Sequence, residues 1–153
     1  MSEKAHFDEL ERALARPDAD QMCRQLDAYA EYYENGGGEW PEESADAFDE
    51  IITCYHDDPE KAFAYVILGA SLSDHPRFLG GLGCGPLQDV LEDPSEELLE
   101  RIVVEARRSA RFRWLLSNPF KVAIAARAWE AIENFRITGP HEEPPDDKLP
   151  PRK

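Results

Sequence analysis

Residues able to do chemistry are few and scattered in this chain. Cys84 lies between Gly83 and Gly85, the one thiol presented as a nucleophile on a tight turn would be, and a base at His75 or His56 would complete a Cys/His pair. The four histidines, His6, His56, His75 and His141, form no H-x-x-x-H or H-E-x-x-H pair, so no zinc or di-iron helix site has its ligands and no metal or other cofactor is expected. Cys23, Cys54 and Cys84 make an odd count without a C-x-x-C pair, which fits reduced thiols in a cytoplasmic protein. Gly80, Gly81, Gly83 and Gly85 suggest a phosphate cradle. A Walker loop, however, ends in Gly-Lys-Ser/Thr after a strand, whereas here the last glycine precedes Pro86, so the stretch from Asp74 to Gly85 reads as a tight connection between helices.

Charge is the stronger signal. The chain has 153 residues, room for one domain, and sets 32 acids against 17 Lys and Arg, a net charge of −15. Direct binding to phosphate backbones or anionic lipid is thereby disfavoured, and a basic partner is favoured. The excess is concentrated: residues 1–65 hold 18 acids and 5 bases, whereas residues 66–138 hold 10 acids and 9 bases. Glu42, Asp46, Asp49, Glu50, Asp57 and Asp58 could share one acidic face, with Tyr32 as a partly exposed aromatic anchor beside Glu31 and Glu34. A purely solubilising surface is the competing explanation. The opposite pole is Arg101, Arg107, Arg108, Arg111 and Arg113, which could bind an acidic ligand or pair with carboxylates such as Glu97 and those of the acidic helices.

The elements that must position these groups are helices. Pro17, Pro41, Pro59, Pro94 and Pro119 each stand beside polar residues ahead of a periodic segment, the arrangement of a proline in a first helical turn. Apolar spacing predicts helices over 18–33, 41–55, 59–72, 86–92, 94–108, 110–116 and 119–135. The third is apolar nearly all round and should be central. The expected architecture is all-α, a single irregular bundle of about six to seven helices over residues 1–137. Residues 138–153 are rich in proline and charge and are expected to form a disordered tail, which could also serve as a docking strip for a polyproline-reading domain. No run approaches the roughly 18 apolar residues of a membrane span.

Gly85-Pro86-Leu87-Gln88-Asp89-Val90-Leu91, followed by Arg101, Glu105-Ala106-Arg107-Arg108, Arg111-Phe112-Arg113-Trp114 and a late Trp129, resembles an uncharacterised family of small bacterial proteins, a domain of unknown function. The family pattern is similar to Gly-Pro-Leu-Glu-Asp-Leu-Leu, from which Gln88 and Val90 depart. The resemblance covers about residues 62–135 and implies a bacterial or phage origin and an all-helical fold, with no established activity. On this pattern Asp89 is expected to form a structural ion pair with Arg111 or Arg113 that fixes how two helices meet.

These observations favour a non-enzymatic acidic binding module, most concretely an inhibitor or immunity-type protein for a basic partner. A nucleic-acid mimic that blocks a DNA-binding protein is the related alternative. From another class comes a small enzyme using Cys84, or Asp89 with the arginine cluster, on an anionic substrate.

Overall fold

Pro59 begins the helix on which the fold is centred. Its missing N–H costs nothing in the first turn, and the Asp58 carboxylate accepts a hydrogen bond from the Lys61 amide at 3.0 Å. The computed structural model describes residues 8–36 and 45–152, and among them all regular structure is helical. In chain order the α-helices are α1 (Glu9–Leu14), α2 (Ala19–Glu34), α3 (Ala45–Thr53), α4 (Pro59–Leu72), α5 (Pro76–Leu82), α6 (Gln88–Leu91), α7 (Glu96–Arg108), α8 (Ala110–Leu116) and α9 (Ala126–Ile132). A 3₁₀ turn, Cys54–His56, prolongs α3, and a π turn, Gly83–Leu87, joins α5 to α6 as one continuous rod.

The all-α class follows from the periodicities. In α4 every residue from Ala62 to Gly69 is buried, and α1, α2, α3, α5 and α6 pack around it. Met22, Leu26 and Tyr29 of α2, Ile51 of α3, Phe78, Leu79 and Leu82 of α5, and Ile102 of α7 complete the core with Phe112, Trp114 and Leu115 of α8. Such helix faces are held chiefly by burial, at ~25 cal/mol per Å² of apolar surface. Ser95 and Ser109 cap α7 and α8 through bonds from the Leu98 and Phe112 amides, at 3.1 and 3.0 Å.

Three expectations need correction. The stretch from Asp74 to Gly85 is not a loop: from Pro76 it is helical, because its glycines serve close packing. A Cβ on Gly83 would lie 2.6 Å from the Leu115 carbonyl oxygen, and one on Gly69 would lie 2.3 Å from Leu82 Cδ1, so small residues let the rod lie against both α8 and α4. Conversely, 119–125 is not the first half of a long helix. Phe120 is extended, a 3₁₀ turn follows at Lys121–Ala123, and Ile124 is extended again. The Phe120 and Ala125 amides donate outside the segment, to Gln88 Oε1 at 3.2 Å and to the Leu91 carbonyl at 3.1 Å. Val122, placed on an inward stripe by periodicity, is 81% exposed.

The third correction concerns the tail. Residues 139–152 are seated on the domain, not disordered. Arg136 holds the near end by donating to the Gly139 carbonyl at 2.6 Å, Trp114 Nε1 donates to the Pro145 carbonyl at 3.0 Å, and Arg111 Nε donates to the Pro150 carbonyl at 3.0 Å. Pro144 is buried and Leu149 packs against the core. The segment has too few apolar groups to fold alone, but it does not need to: indole and guanidinium donors from the domain satisfy its carbonyls.

Candidate functional site

The acidic face is built on α3 and its 3₁₀ extension. Phe48 and Tyr55 pack against the core beside buried Ile51, which leaves Asp46 and Asp49 exposed on the opposite side, with Asp57 exposed just beyond. None of these three carboxylates has a salt-bridge partner among the described residues. Glu50 and Asp58 differ. Glu50 receives Lys61 Nζ at 2.6 Å, and Asp58 caps α4 while lying 3.5 Å from the Arg16 guanidinium. Asp18 joins the same cluster, 3.0 Å from Arg16 and 3.5 Å from Lys61, and the hydrogen bond from Arg16 holds its carboxyl below the usual range. The expected six-carboxylate face therefore divides: two members hold α2, α3 and α4 together, three face solvent, and Glu42 lies outside the described residues. Tyr32 is partly exposed, its ring 5.3 Å from that of Tyr33 in a T-shaped pair.

The ion pair expected between Asp89 and Arg111 or Arg113 does not form. Arg111 opens α8 beside the C-terminal end of α4, where it donates to the Ala70 and Ser73 carbonyls at 3.1 and 2.9 Å and to Asp74 at 2.7 Å. A cation there meets the negative end of the helix dipole. Arg113 donates to the Ala106 carbonyl at 2.8 Å. Asp89 is carried instead by the α5–α6 rod toward the end of α3. Burial pushes its carboxyl up to about 6, the charge of Glu92 adding to this and His56 opposing it.

Of the two pairings expected for Arg101, with Glu97 or with the acidic helices, it makes the second, bridging Glu9 of α1 at 2.8 Å and Glu60 of α4 at 2.7 Å. The identity of the two clamp partners, and the whole of the Asp74–Arg111–Arg152 node, are what local reading missed. One signal was present: Arg111 has no acid three or four residues away in either direction, so a buried guanidinium there had to find long-range partners.

Cys84 does not have the surroundings of an activated thiol. Burial of its sulfur and the nearby Glu143 carboxylate push the thiol up, although the residue as a whole is exposed. A cleft of about 360 Å³ over it is lined by Tyr33, Arg77, Gly81, Trp114 and Glu143, without His56 or His75. Among the described residues no group of three or more His, Cys, Asp or Glu is placed to hold a metal ion, and no helix is long and apolar enough to cross a membrane.

A family model described as a family of unknown function, DUF6869, matches residues 38–139. The chain belongs to this family. No curated protein and no solved structure matches it. The DUF6869 span runs from before α3 to the start of the tail, so it includes Asp46, Asp49, Asp57, Asp89 and the arginines of α7 and α8. It leaves out α1, α2 and nearly all of the seated tail, so Glu9 and Arg152 contact the DUF6869 unit from outside it, at Arg101 and Asp74.

Proposed function

We propose that this chain is a non-enzymatic acidic binding module of the bacterial cytoplasm that engages a basic protein through the α3 face, most concretely as an inhibitor or immunity-type protein. The observation that carries the reading is the set of exposed carboxylates at Asp46, Asp49 and Asp57, without a cation partner among the described residues, while Glu50 and Asp58 are neutralised by Lys61 and Arg16. Like charges held together on one face oppose folding and accelerate capture of a partner of opposite sign. The raised thiol of Cys84 and the separation of Asp89 from Arg111 weigh against the enzymatic alternative.

The test compares the wild-type chain with an Asp46→Lys/Asp49→Lys/Asp57→Lys variant as baits in bacterial lysate, below and above the ionic strength of about 0.15 M at which the Debye length is ~8 Å. The expected result is one basic protein retained by the wild type, released at high salt and not retained by the variant. Purified, that protein should bind the wild type directly. Competition by DNA for the same protein would assign the nucleic-acid mimic, whereas blockage of an enzymatic activity of the partner would assign the inhibitor. Equal retention by both baits with the same salt dependence sinks the acidic-face reading.

A further inference from the structure

The seated tail marks a site of its own. Between α4, α5 and α8 runs a groove whose polar fittings are donors, Trp114 Nε1 and Arg111 Nε, and what they bind are backbone carbonyls of prolines, Pro145 at 3.0 Å and Pro150 at 3.0 Å. Pro145 (φ −66°, ψ 142°) and Leu149 (φ −64°, ψ 117°) lie in or near the polyproline II region, on either side of a single 3₁₀ turn at Asp146–Lys148. Extended proline segments suit such a groove. They offer carbonyls without competing amides, and their restricted φ means that little conformational entropy is lost on docking. Aromatic and donor-lined grooves that read proline-rich segments work on the same physics.

Three further features define what fits. Pro144 is buried while Pro145 is exposed, so the first proline pair supplies one ring to the groove and one carbonyl to the indole. Arg152 closes the far end by pairing with Asp74 at 3.1 Å and donating to the Ser71 carbonyl at 2.9 Å, so the occupant carries a terminal cation. Beyond Pro151 the groove continues as a cavity of about 710 Å³ toward Leu10, Ile67 and Phe112, which leaves room for a longer chain than the tail itself.

We propose that the α4–α5–α8 groove is a peptide-binding site for extended segments of the form Pro-Pro, a short acidic turn, Leu-Pro-Pro-Arg, and that residues 139–152 are its resident, exchangeable occupant. The trans ligand is a proline-rich segment of another protein with that chemistry. The tail competes in cis at an effective concentration of roughly millimolar, so it acts as a threshold against weak or mismatched segments.

The experiment uses a fluorescent synthetic peptide with the sequence of residues 139–153, titrated into the full wild-type chain and into a full-length Pro144→Asp/Leu149→Asp variant that releases the tail. The expected result is saturable binding to the released variant at least about tenfold tighter than to the wild type. Alanine at Pro144, Pro145, Pro150 and Pro151 of the peptide should weaken it at least about tenfold. A wild-type dimer that the peptide dissociates would be the same exchange, made by the tail of a second copy. A folded released variant that binds no peptide, or that binds the alanine-substituted peptide equally well, overturns the proposal. If the double variant does not fold, the wild-type chain answers alone. The Trp114 indole N–H resonance should then move with millimolar tail peptide and not with its alanine-substituted form, and a resonance that stays fixed with both overturns it.

Discussion

At the α3 face Asp46, Asp49 and Asp57 are exposed and without cations among the described residues, whereas at the start of α8 Arg111 is only 5% exposed and donates to three carbonyls and a carboxylate. Both regions are charged, and they use charge differently. An unpaired surface carboxylate adds almost nothing to stability and stays available to a partner. A buried guanidinium is tolerated only when its donors are matched, and then it fixes the elements that supply the acceptors. Here those elements are the end of α4, the loop at Asp74 and the tail.

The largest expected effect comes from breaking the buried side of this contrast. Arg111→Met keeps much of the side-chain volume but leaves the Ala70, Ser73 and Pro150 carbonyls short of a donor, and should cost about 3 kcal/mol in urea unfolding. Next comes a paired glycine test on the rod that carries α5 against α8. Gly83→Ala places a methyl 2.6 Å from a backbone carbonyl that cannot rotate away, and should destabilise by about 2 kcal/mol. Gly85→Ala meets nothing within 4 Å beyond its chain neighbours and has only the strain of a helical residue before Pro86 to bear, so it should cost clearly less than Gly83→Ala in thermal melts.

Asp89 provides a third, smaller effect of the opposite sign. Its carboxyl, raised to about 6 by burial, binds protons more tightly in the folded chain than in the unfolded one. The stability this confers is fully present below the ordinary carboxylate range and is lost as pH rises through about 6. Asp89→Asn should therefore stabilise the protein at pH 7 by about 1 kcal/mol, the full shift being discounted for the partial exposure of the group. The gain should vanish in denaturation curves recorded below pH ~4. The smallest effect sharpens the comparison from the acidic side: Asp46→Lys, Asp49→Lys and Asp57→Lys should each change stability by less than about 0.5 kcal/mol, measured by chemical denaturation. A large loss from any of them would mean that the α3 face is structural as well.

The sequence was most legible where one local rule decided the outcome. Asp58-Pro59-Glu60 reads as a helix start and is one, because cap, proline and apolar run agree. Asn118-Pro119-Phe120 has the same look and is not a start: the Asn118 side-chain amide donates back to the Trp114 and Leu115 carbonyls, the Phe120 amide is taken by Gln88 of α6, and those of Lys121 and Val122 are taken by Pro140 and His141. Phe78, Leu79 and Leu82 already had helical spacing, but four glycines among residues 80–85 outweighed it, since propensity says nothing about the neighbour that requires a missing Cβ. On the candidate site, the location of the acidic excess was readable. Which carboxylates are neutralised was not, because Lys61 meets Glu50 across 11 residues and Arg16 meets Asp58 across 42. The tail was misread for a related reason: its composition could not show that Trp114 and Arg111 would supply donors.

The clamp on α1 also bears on the order in which the chain comes together. Glu9 and Arg101 are 92 residues apart, and Asp74 and Arg152 are 78 apart, so both outer segments are fixed by contacts of long sequence separation. Helical proteins usually fold fast because their contacts are local, and closing large loops removes that advantage. During synthesis α1 has no anchor at Arg101 until the 92 residues that separate Glu9 from it have been made, and residues 139–152 seat later still. Folding should proceed as a rapid collapse around α4 followed by slower locking of the two ends.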